Sequence, residues 1–249
     1  MSGHSKWANI KHKKGRADAA RGKVFSKIAK EIIVAASMGG GNVDDNITLR
    51  ALVQKAKGVS MPKDNIDRAI KKGTGELAGD ALEELVYETY APGGVALIVE
   101  ALTDNKNRAA SEIKNVLTKN GASLAQQGAV SRMFQRKGQI LISADVIEEE
   151  ALMDIVLEAG AEDMQRDDDQ FEVLTAFGDY AAVANAITDA GIETESSELT
   201  MIPDMPKNIA DKGQAQRLMR LVDLLEELDD VQNVYPGFEL DDSIVDELD

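Results

Sequence analysis

Nine basic residues lie within the first thirty positions of the chain, a density that suits contact with a polyanion. Asp18 is the only acidic residue among them. Like charges this close repel one another unless phosphates neutralise them, and each phosphate contact releases a condensed counterion. The nine are Lys6, Lys11, Lys13, Lys14, Arg16, Arg21, Lys23, Lys27 and Lys30. The segment therefore predicts nucleic-acid binding, with a merely solvated basic face as the alternative.

Trp7, the only tryptophan, lies among these cations. Its ring can stack on an unpaired base, or it can anchor the basic arm on the elements that follow. The sequence favours anchoring.

A second basic group lies at 62–73, where the pattern predicts a helix. Asp64 and Asp67 stand four residues before Arg68 and Lys71, so these cations can be neutralised in place. Lys63 and Lys72 lie outside these two pairs and are therefore the better candidates for contact with an external anion. The complete set of predicted nucleic-acid-binding residues is Lys6, Trp7, Lys11, Lys13, Lys14, Arg16, Arg21, Lys23, Lys27, Lys63, Arg68 and Lys72.

The sequence offers no constellation typical of an active site. His4 and His12 are the only histidines, and both lie in the arm, whereas a general base must be held in position by its neighbours. Acidic runs at 148–150 and 167–169 lack EF-hand spacing, and the glycines at 39–41 lack the Lys-Ser/Thr of a P-loop. We therefore expect no enzyme activity, no catalytic residue, no metal and no cofactor.

The formal net charge of −16, from 28 Lys+Arg and 44 Asp+Glu, would by itself argue against a nucleic-acid partner. The charge is unevenly distributed, however: residues 1–72 carry +10 and residues 139–249 carry −25. Within 139–203 there are 17 acidic residues and one basic residue, Arg166. Phosphates would repel such a segment, which suits either a basic protein surface or solubility alone.

Apolar residues at three- and four-residue spacing predict three helices behind the arm, at about 17–39, 46–57 and 62–73. The period then changes to two, which predicts strands at about 86–90, 95–102 and 130–135, with a helix at 106–120 before the third strand. A helix at 212–228 and a strand at 231–235 end the chain's regular elements.

Residues 139–203 have the element order β-α-β-β-α-β, which is the ferredoxin-like plan. The predicted strands lie at 139–143, 161–166, 171–176 and 192–202, and the predicted helices at 146–159 and 180–190. The final helix and strand cannot bury their apolar faces alone, so they must complete the domain that begins near residue 77. The expected fold is α+β and multidomain: an N-terminal three-helix domain plus two ferredoxin-like α/β domains, one inserted in the other. The expected boundaries are 1–76, 77–138 with 204–238, the insert 139–203, and a frayed acidic tail at 239–249.

No apolar run approaches the ~18 residues of a membrane-spanning helix, the N-terminus lacks the apolar core of a signal peptide, and there is no cysteine. We expect a cytoplasmic protein with no membrane association and no small-molecule substrate.

Four motifs follow one another along the chain: GHSKWANIKHKK at 3–14, MPKDNIDRAIKKG at 61–73, YAPGGVA at 90–96 and LTDNKNR at 102–108. In this order they closely resemble the YebC/PmpR family of probable transcriptional regulators, which also includes a mitochondrial translational activator of cytochrome c oxidase. The resemblance implies a helical N-terminal domain, two α/β domains and a non-enzymatic role in gene expression. Two positions depart from it: Ala91 stands where glycine is common, and Arg132 where an aromatic residue is common, which would put a charge on a face otherwise expected in the core.

Together these observations predict a regulator that binds promoter DNA through its basic N-terminal region. Two alternatives stay open. One is a translation factor that binds ribosomal RNA and proteins, and the other is an adaptor that binds basic protein surfaces through residues 139–203.

Overall fold

The computed structural model describes residues 21–79, 81–167 and 169–245. Its N-terminal part contains three helices: α1 (Arg21–Gly39), α2 (Ile47–Gly58) and α3 (Lys63–Gly73). We call them the helical domain. The basic arm and the first turn predicted for the first helix lie outside the described residues.

A small apolar core holds the helical domain together. Ile28 and Ile32 of α1 pack against Leu49 of α2 and Ile66 of α3. Asn46 is the N-cap of α2: its side-chain oxygen accepts a hydrogen bond from the backbone amide of Leu49 at 3.0 Å. The predicted helices are confirmed to within a residue or two at these ends.

Next comes the central domain, a sheet covered on one face by two helices. Its elements are β1 (Glu83–Ala91), β2 (Val95–Thr103), α4 (Lys106–Lys119), β3 (Ser123–Leu124), α7 (Lys212–Glu226) and β9 (Val231–Pro236). The strand order is β3-β1-β2-β9, and every pair is antiparallel. Leu97 and Val99 on β2, Ile113 on α4, and Leu218 and Leu221 on α7 belong to its core.

The insert enters between β3 and α7. It consists of β4 (Phe134–Ser143), α5 (Glu149–Glu158), β5 (Ala161–Asp167), β6 (Gln170–Ala176), α6 (Tyr180–Asp189) and β7 (Ser196–Pro203). Its antiparallel sheet has the order β5-β6-β4-β7. This is the strand order of the ferredoxin-like plan, and both helices cover the face that carries Ile140 and Val173. The α+β class, with one α/β domain inserted in another, is confirmed.

The strand predicted at 130–135 is wrong in its first half. Ser131–Met133 form a 3₁₀ turn, because the buried carboxylate of Glu88 accepts hydrogen bonds from the amides of Gly128, Val130 and Ser131. The strand starts only at Phe134 and runs without interruption to Ser143.

Arg132, expected to put a charge on a core face, is instead exposed on this turn. The other departure from the family pattern, Ala91, lies buried in β1 and pairs with Val95. The positive φ angles of the hairpin fall on Gly93 and Gly94, so alanine at 91 meets no backbone strain.

Two short strands near the end of the chain were not predicted. β8 (Lys207–Ile209) and β10 (Phe238–Leu240) pair in parallel, and a single helical turn, α8 (Asp242–Val245), follows. Residues 239–245, part of the tail expected to fray, are therefore packed against the central domain, because Leu240 and Ile244 are buried in its core. The domain boundaries themselves stay predictions.

Candidate nucleic-acid interface

Helix α1 presents three different faces, and each contacts different surroundings. One face, with Ile28 and Ile32, lies in the core of the helical domain. A second carries Lys23, Lys27 and Lys30 at spacings of four and three residues, which places them in one row. The third, with Ser26 and Ile33, borders a groove toward α3, which Phe25 also lines from the edge of the core.

The row of lysines faces the central domain. Lys23 Nζ donates to the carbonyl oxygen of Glu227 at 2.8 Å, and Lys27 Nζ to that of Gln232 at 3.3 Å. Lys30 Nζ donates to the carbonyl oxygens of Leu102 at 3.0 Å and Asp229 at 2.8 Å. The carbonyls between 227 and 232 follow the C-terminus of α7, where the helix dipole favours cations. Lys23 and Lys27, predicted to bind nucleic acid, thus hold the helical domain on the central domain.

Asp230 is the centre of this contact. Its carboxylate is 2% exposed and accepts from Lys30 Nζ at 2.8 Å, from Thr103 Oγ1 at 3.0 Å and from Arg108, whose Nε and Nη2 approach to 3.1 and 2.8 Å. Burial alone would raise the pKa of Asp230, but the hydrogen bonds from Lys30, Arg108 and Thr103 outweigh it and lower the pKa. Hydrogen bonds to the carboxylates of Asp230 and Asp104 raise the pKa of Arg108 in turn. The acid is therefore held ionised at the junction of the two domains.

A different set of cations faces outward from α3. Lys63, Arg68, Lys71 and Lys72 are all exposed. The predicted pairing of Asp64 with Arg68 and of Asp67 with Lys71 does not form: within 21–79, 81–167 and 169–245, none of the four takes part in an ion pair. These cations keep their charge available to an external anion.

Between α1 and α3 runs an open groove of about 340 Å³. Phe25, Ile33 and Met61 line its apolar part, and the predicted binding residues Arg68 and Lys72 line its side on α3. Neither Asp64 nor Asp67 lines it. The two helices approach closely because Gly73 has no side chain: a Cβ there would come within 2.7 Å of the Cβ of Ala36.

The structure thus separates the predicted binding residues into groups. Arg68 and Lys72 lie together, Lys63 stands apart at the start of α3, and Lys23 and Lys27 face inward. Arg21 begins α1, and its side chain is not described. The remaining predictions, Lys6, Trp7, Lys11, Lys13, Lys14 and Arg16, lie outside the described residues.

Sequence reasoning missed the groove itself. From the sequence, no binding role was predicted for Phe25, Met61 or Asn65, all of which line it. Periodicity does carry a signal for one lining residue, because Ile33 falls between the core face and the lysine row, and such a boundary position is half-buried.

A second polar junction connects the central sheet to the insert. Glu100 on β2 accepts from Tyr235 Oη at 2.8 Å and from Asn233 Nδ2 at 3.3 Å, and its other oxygen lies 3.6 Å from Arg136 Nη2 on β4. Burial, together with the neighbouring Glu100 carboxylate, raises the pKa of Tyr235. Arg136 in turn covers the ring of Phe177 at 6.0 Å. The guanidinium group of Arg136 therefore contributes to the contact between the insert and the central domain.

Within the part of the chain that the structure describes, no group of three or more His, Asp or Glu side chains could hold a metal ion. Across the same residues, no helix is both long and apolar enough to cross a bilayer.

Comparison with known proteins matches both halves of this architecture. Residues 5–76 match the model described as the TACO1/YebC protein N-terminal domain, and residues 82–238 match that of the TACO1/YebC second and third domain. A curated relative from Syntrophobacter fumaroxidans, named a probable transcriptional regulatory protein, is 53% identical over 248 residues, with 100% of each chain covered. One from Leptospira biflexa with the same name is 54% identical over 244 residues, covering 98% of this chain and 99% of the relative.

A solved structure agrees in three dimensions. The crystal structure of a conserved hypothetical protein from Aquifex aeolicus has a TM-score of 0.85 and 45% identity, covering 96% of this chain and 98% of that one. The helical domain, the split central domain and the insert are matched over almost their whole length, and the chain belongs to the TACO1/YebC family.

Proposed function

We propose that the protein is a non-enzymatic, cytoplasmic regulator of gene expression that binds promoter DNA through its basic N-terminal region. The observation that carries this proposal is the set of exposed cations on α3, which form no ion pair with any residue that the structure describes, in contrast to the lysine row of α1, which contacts the central domain. Lys63, Arg68 and Lys72 offer three charges to a phosphate backbone without first breaking an ion pair within the described part of the chain.

Two further observations support a regulator. Relatives that are about half identical over the whole chain are named probable transcriptional regulatory proteins. The charge segregation, +10 over residues 1–72 and −25 over residues 139–249, favours an approach in which the helical domain meets the polyanion and the insert stays away from it.

The test compares two charge-matched double variants of the full chain. Arg68→Gln with Lys72→Gln removes outward cations, and Lys23→Gln with Lys27→Gln removes inward ones. Duplex DNA binding is measured over a range of salt concentrations. Each lost phosphate contact should reduce the log–log slope by about 0.9, so we expect the slope to fall for the outward pair and to stay unchanged for the inward pair.

Equal slopes for the wild type and the outward pair would contradict a role for α3. A third variant, with Lys11, Lys13, Lys14 and Arg16 changed to Ala, then tests the arm by itself. If the wild type binds no nucleic acid at all, the proposed function is wrong.

A second candidate is a factor that binds ribosomal RNA and acts in translation. It is favoured by the exposed carboxylates Asp64 and Asp67 in the first half of α3. A recognition helix reads base edges with its N-terminal residues, and carboxylates at that end would be repelled by duplex phosphates. Sequence-tolerant contact with RNA avoids this conflict because it does not require the N-terminal end of α3 to enter a groove and can be made by Arg68 and Lys72 in the second half of the helix. Co-sedimentation with ribosomes, compared with crosslinking to promoters in the same cells, separates the two candidates.

A further inference from the structure

The groove between α1 and α3 combines three chemical features on one surface. Its larger apolar lining residues are Phe25, Ile33 and Met61. Its volume of about 340 Å³ is within the range of sites that take small organic groups. A flat aromatic group can therefore enter it and contact the phenyl ring.

Two uncharged polar side chains reach the same groove. Ser26 lies on α1 and Asn65 on α3. Within the described ranges, the side chain of neither residue forms a hydrogen bond to another residue. The amide of Asn65 offers a donor and an acceptor side by side, which matches the edge of a heterocyclic base.

The charge on the groove has one sign. Arg68 and Lys72, one turn apart on α3, are its charged lining residues, and no carboxylate is among the described residues that line it. An occupant must therefore carry anionic groups next to its aromatic group. Single-stranded nucleic acid repeats this combination at every nucleotide, with a phosphate beside each base.

We infer that this groove binds an unpaired base of single-stranded nucleic acid, with the base against Phe25 and Met61, its edge toward Asn65, and the flanking phosphates on Arg68 and Lys72. The inference rests on the proposed function and adds the form of nucleic acid that the helical domain prefers. A paired base inside a duplex cannot reach the groove, because its faces are stacked on its neighbours and its edge is paired. The preference is therefore for loops, bulges or opened strands.

The experiment fills the groove with a larger side chain while the net charge of the protein and the core of the helical domain stay the same. Ser26→Leu places a larger side chain at an exposed position of α1 that lines the groove, and Ser37→Leu makes the same change at an exposed position of α1 that does not line it. Both variants keep Arg68 and Lys72. The probe is a short single-stranded oligonucleotide with 2-aminopurine in place of adenine, and the comparison ligand is a duplex of the same length.

We expect the wild type and Ser37→Leu to change the 2-aminopurine fluorescence and to bind the single strand more tightly than the duplex. Ser26→Leu should lose about tenfold in single-strand affinity, the equivalent of about 1.4 kcal/mol and within the worth of one stacked base, and keep its duplex affinity. Phe25→Tyr should retain binding because it preserves the ring.

If Ser26→Leu binds the single strand as the wild type does, the groove inference is wrong while the proposed function stands. If the groove binds an acidic peptide that contains tyrosine and ignores the oligonucleotide, the occupant is a protein and the inference is equally wrong. A wild type that binds neither single strand nor duplex removes both the inference and the proposed function.

Discussion

Asp230 contacts three residues that are each more than a hundred positions away from it in the chain. Lys30 comes from the helical domain, and Arg108 and Thr103 come from the central domain. A buried carboxylate is stable only where several donors replace the water that it has lost. The contact therefore depends on the charge of the acid and on all three donors together.

Asp230→Asn should lower the free energy of unfolding by about 2 kcal/mol. The amide keeps the shape but loses two charge-assisted hydrogen bonds, each stronger than a neutral one, and the partial exposure of Arg108 reduces the loss. The urea midpoint measures the change. The matched control is Asp229→Asn: that side chain is exposed, and its contact with Lys30 is made by its backbone oxygen, so a comparable loss there would contradict the role given to Asp230.

The same residue predicts a pH dependence whose sign follows from its lowered pKa. A carboxylate whose pKa is lower in the folded state stabilises the protein fully above its unfolded pKa, and this stabilisation is lost as the pH falls through the folded pKa. The difference in stability between wild type and Asp230→Asn should thus be constant above about pH 5 and shrink below about pH 4. A difference that is the same at pH 3 and pH 7 would contradict an ionised Asp230.

At the scale of elements, the crossing of α1 and α3 depends on one missing side chain. A Cβ on Gly73 would meet the backbone carbonyl oxygen of Ile33 and the Cβ of Ala36. A side chain at residue 73 would therefore force the two helices to shift relative to each other. By contrast, a Cβ on Gly22 would meet nothing within 4 Å.

Gly73→Ala should therefore destabilise the protein by about 1–3 kcal/mol, the usual cost of overpacking. Gly22→Ala should have the opposite sign and stabilise it by up to about 1 kcal/mol, because alanine favours the helix. Thermal midpoints measure both. If both variants shift the midpoint in the same direction, the close approach at Gly73 does not control the helix crossing.

The elements themselves were largely predictable, and the exceptions have physical causes. Periodicity and the caps Asn46, Asn105 and Asp211 define helices because these signals act over a few residues. The turn at 131–133 was mistaken for a strand because its cause, the carboxylate of Glu88, lies about forty residues away. The three-residue strands β8 and β10 are too short to show a period of two.

For the candidate site, the sequence could predict only that the N-terminal region is rich in basic residues. Counting cations identified the basic region, yet Lys23 and Lys27 look the same in the sequence as Lys63 and Lys72. Their acceptors are backbone carbonyls, which every residue type possesses, so no pattern in the sequence marks them. The groove needs α1 and α3 in contact, and only the tertiary structure supplies that contact.

At the scale of the whole molecule, the charge forms a dipole. Exposed carboxylates of the insert include Glu193 and Glu198, and like the rest of residues 139–203 they repel a polyanion at long range. Their effect falls with ionic strength, because the Debye length is only about 8 Å at physiological salt.

Glu193→Gln with Glu198→Gln should therefore raise the association rate with nucleic acid about twofold at low salt, and the gain should vanish near 0.15 M. Stopped-flow measurements at both ionic strengths check this. The low-salt rate is the decisive value: if it does not change, the insert does not influence the approach of the partner.

The inward lysines have a consequence for how this protein can vary. Lys23, Lys27 and Lys30 mostly bind carbonyl oxygens between Glu227 and Gln232, and a carbonyl stays in place when its side chain changes. Apart from Asp230, this turn can therefore accept many substitutions without loosening the helical domain. An inserted or deleted residue would move every acceptor at once, so the length of the turn, more than its composition, is what the interface between the two domains requires.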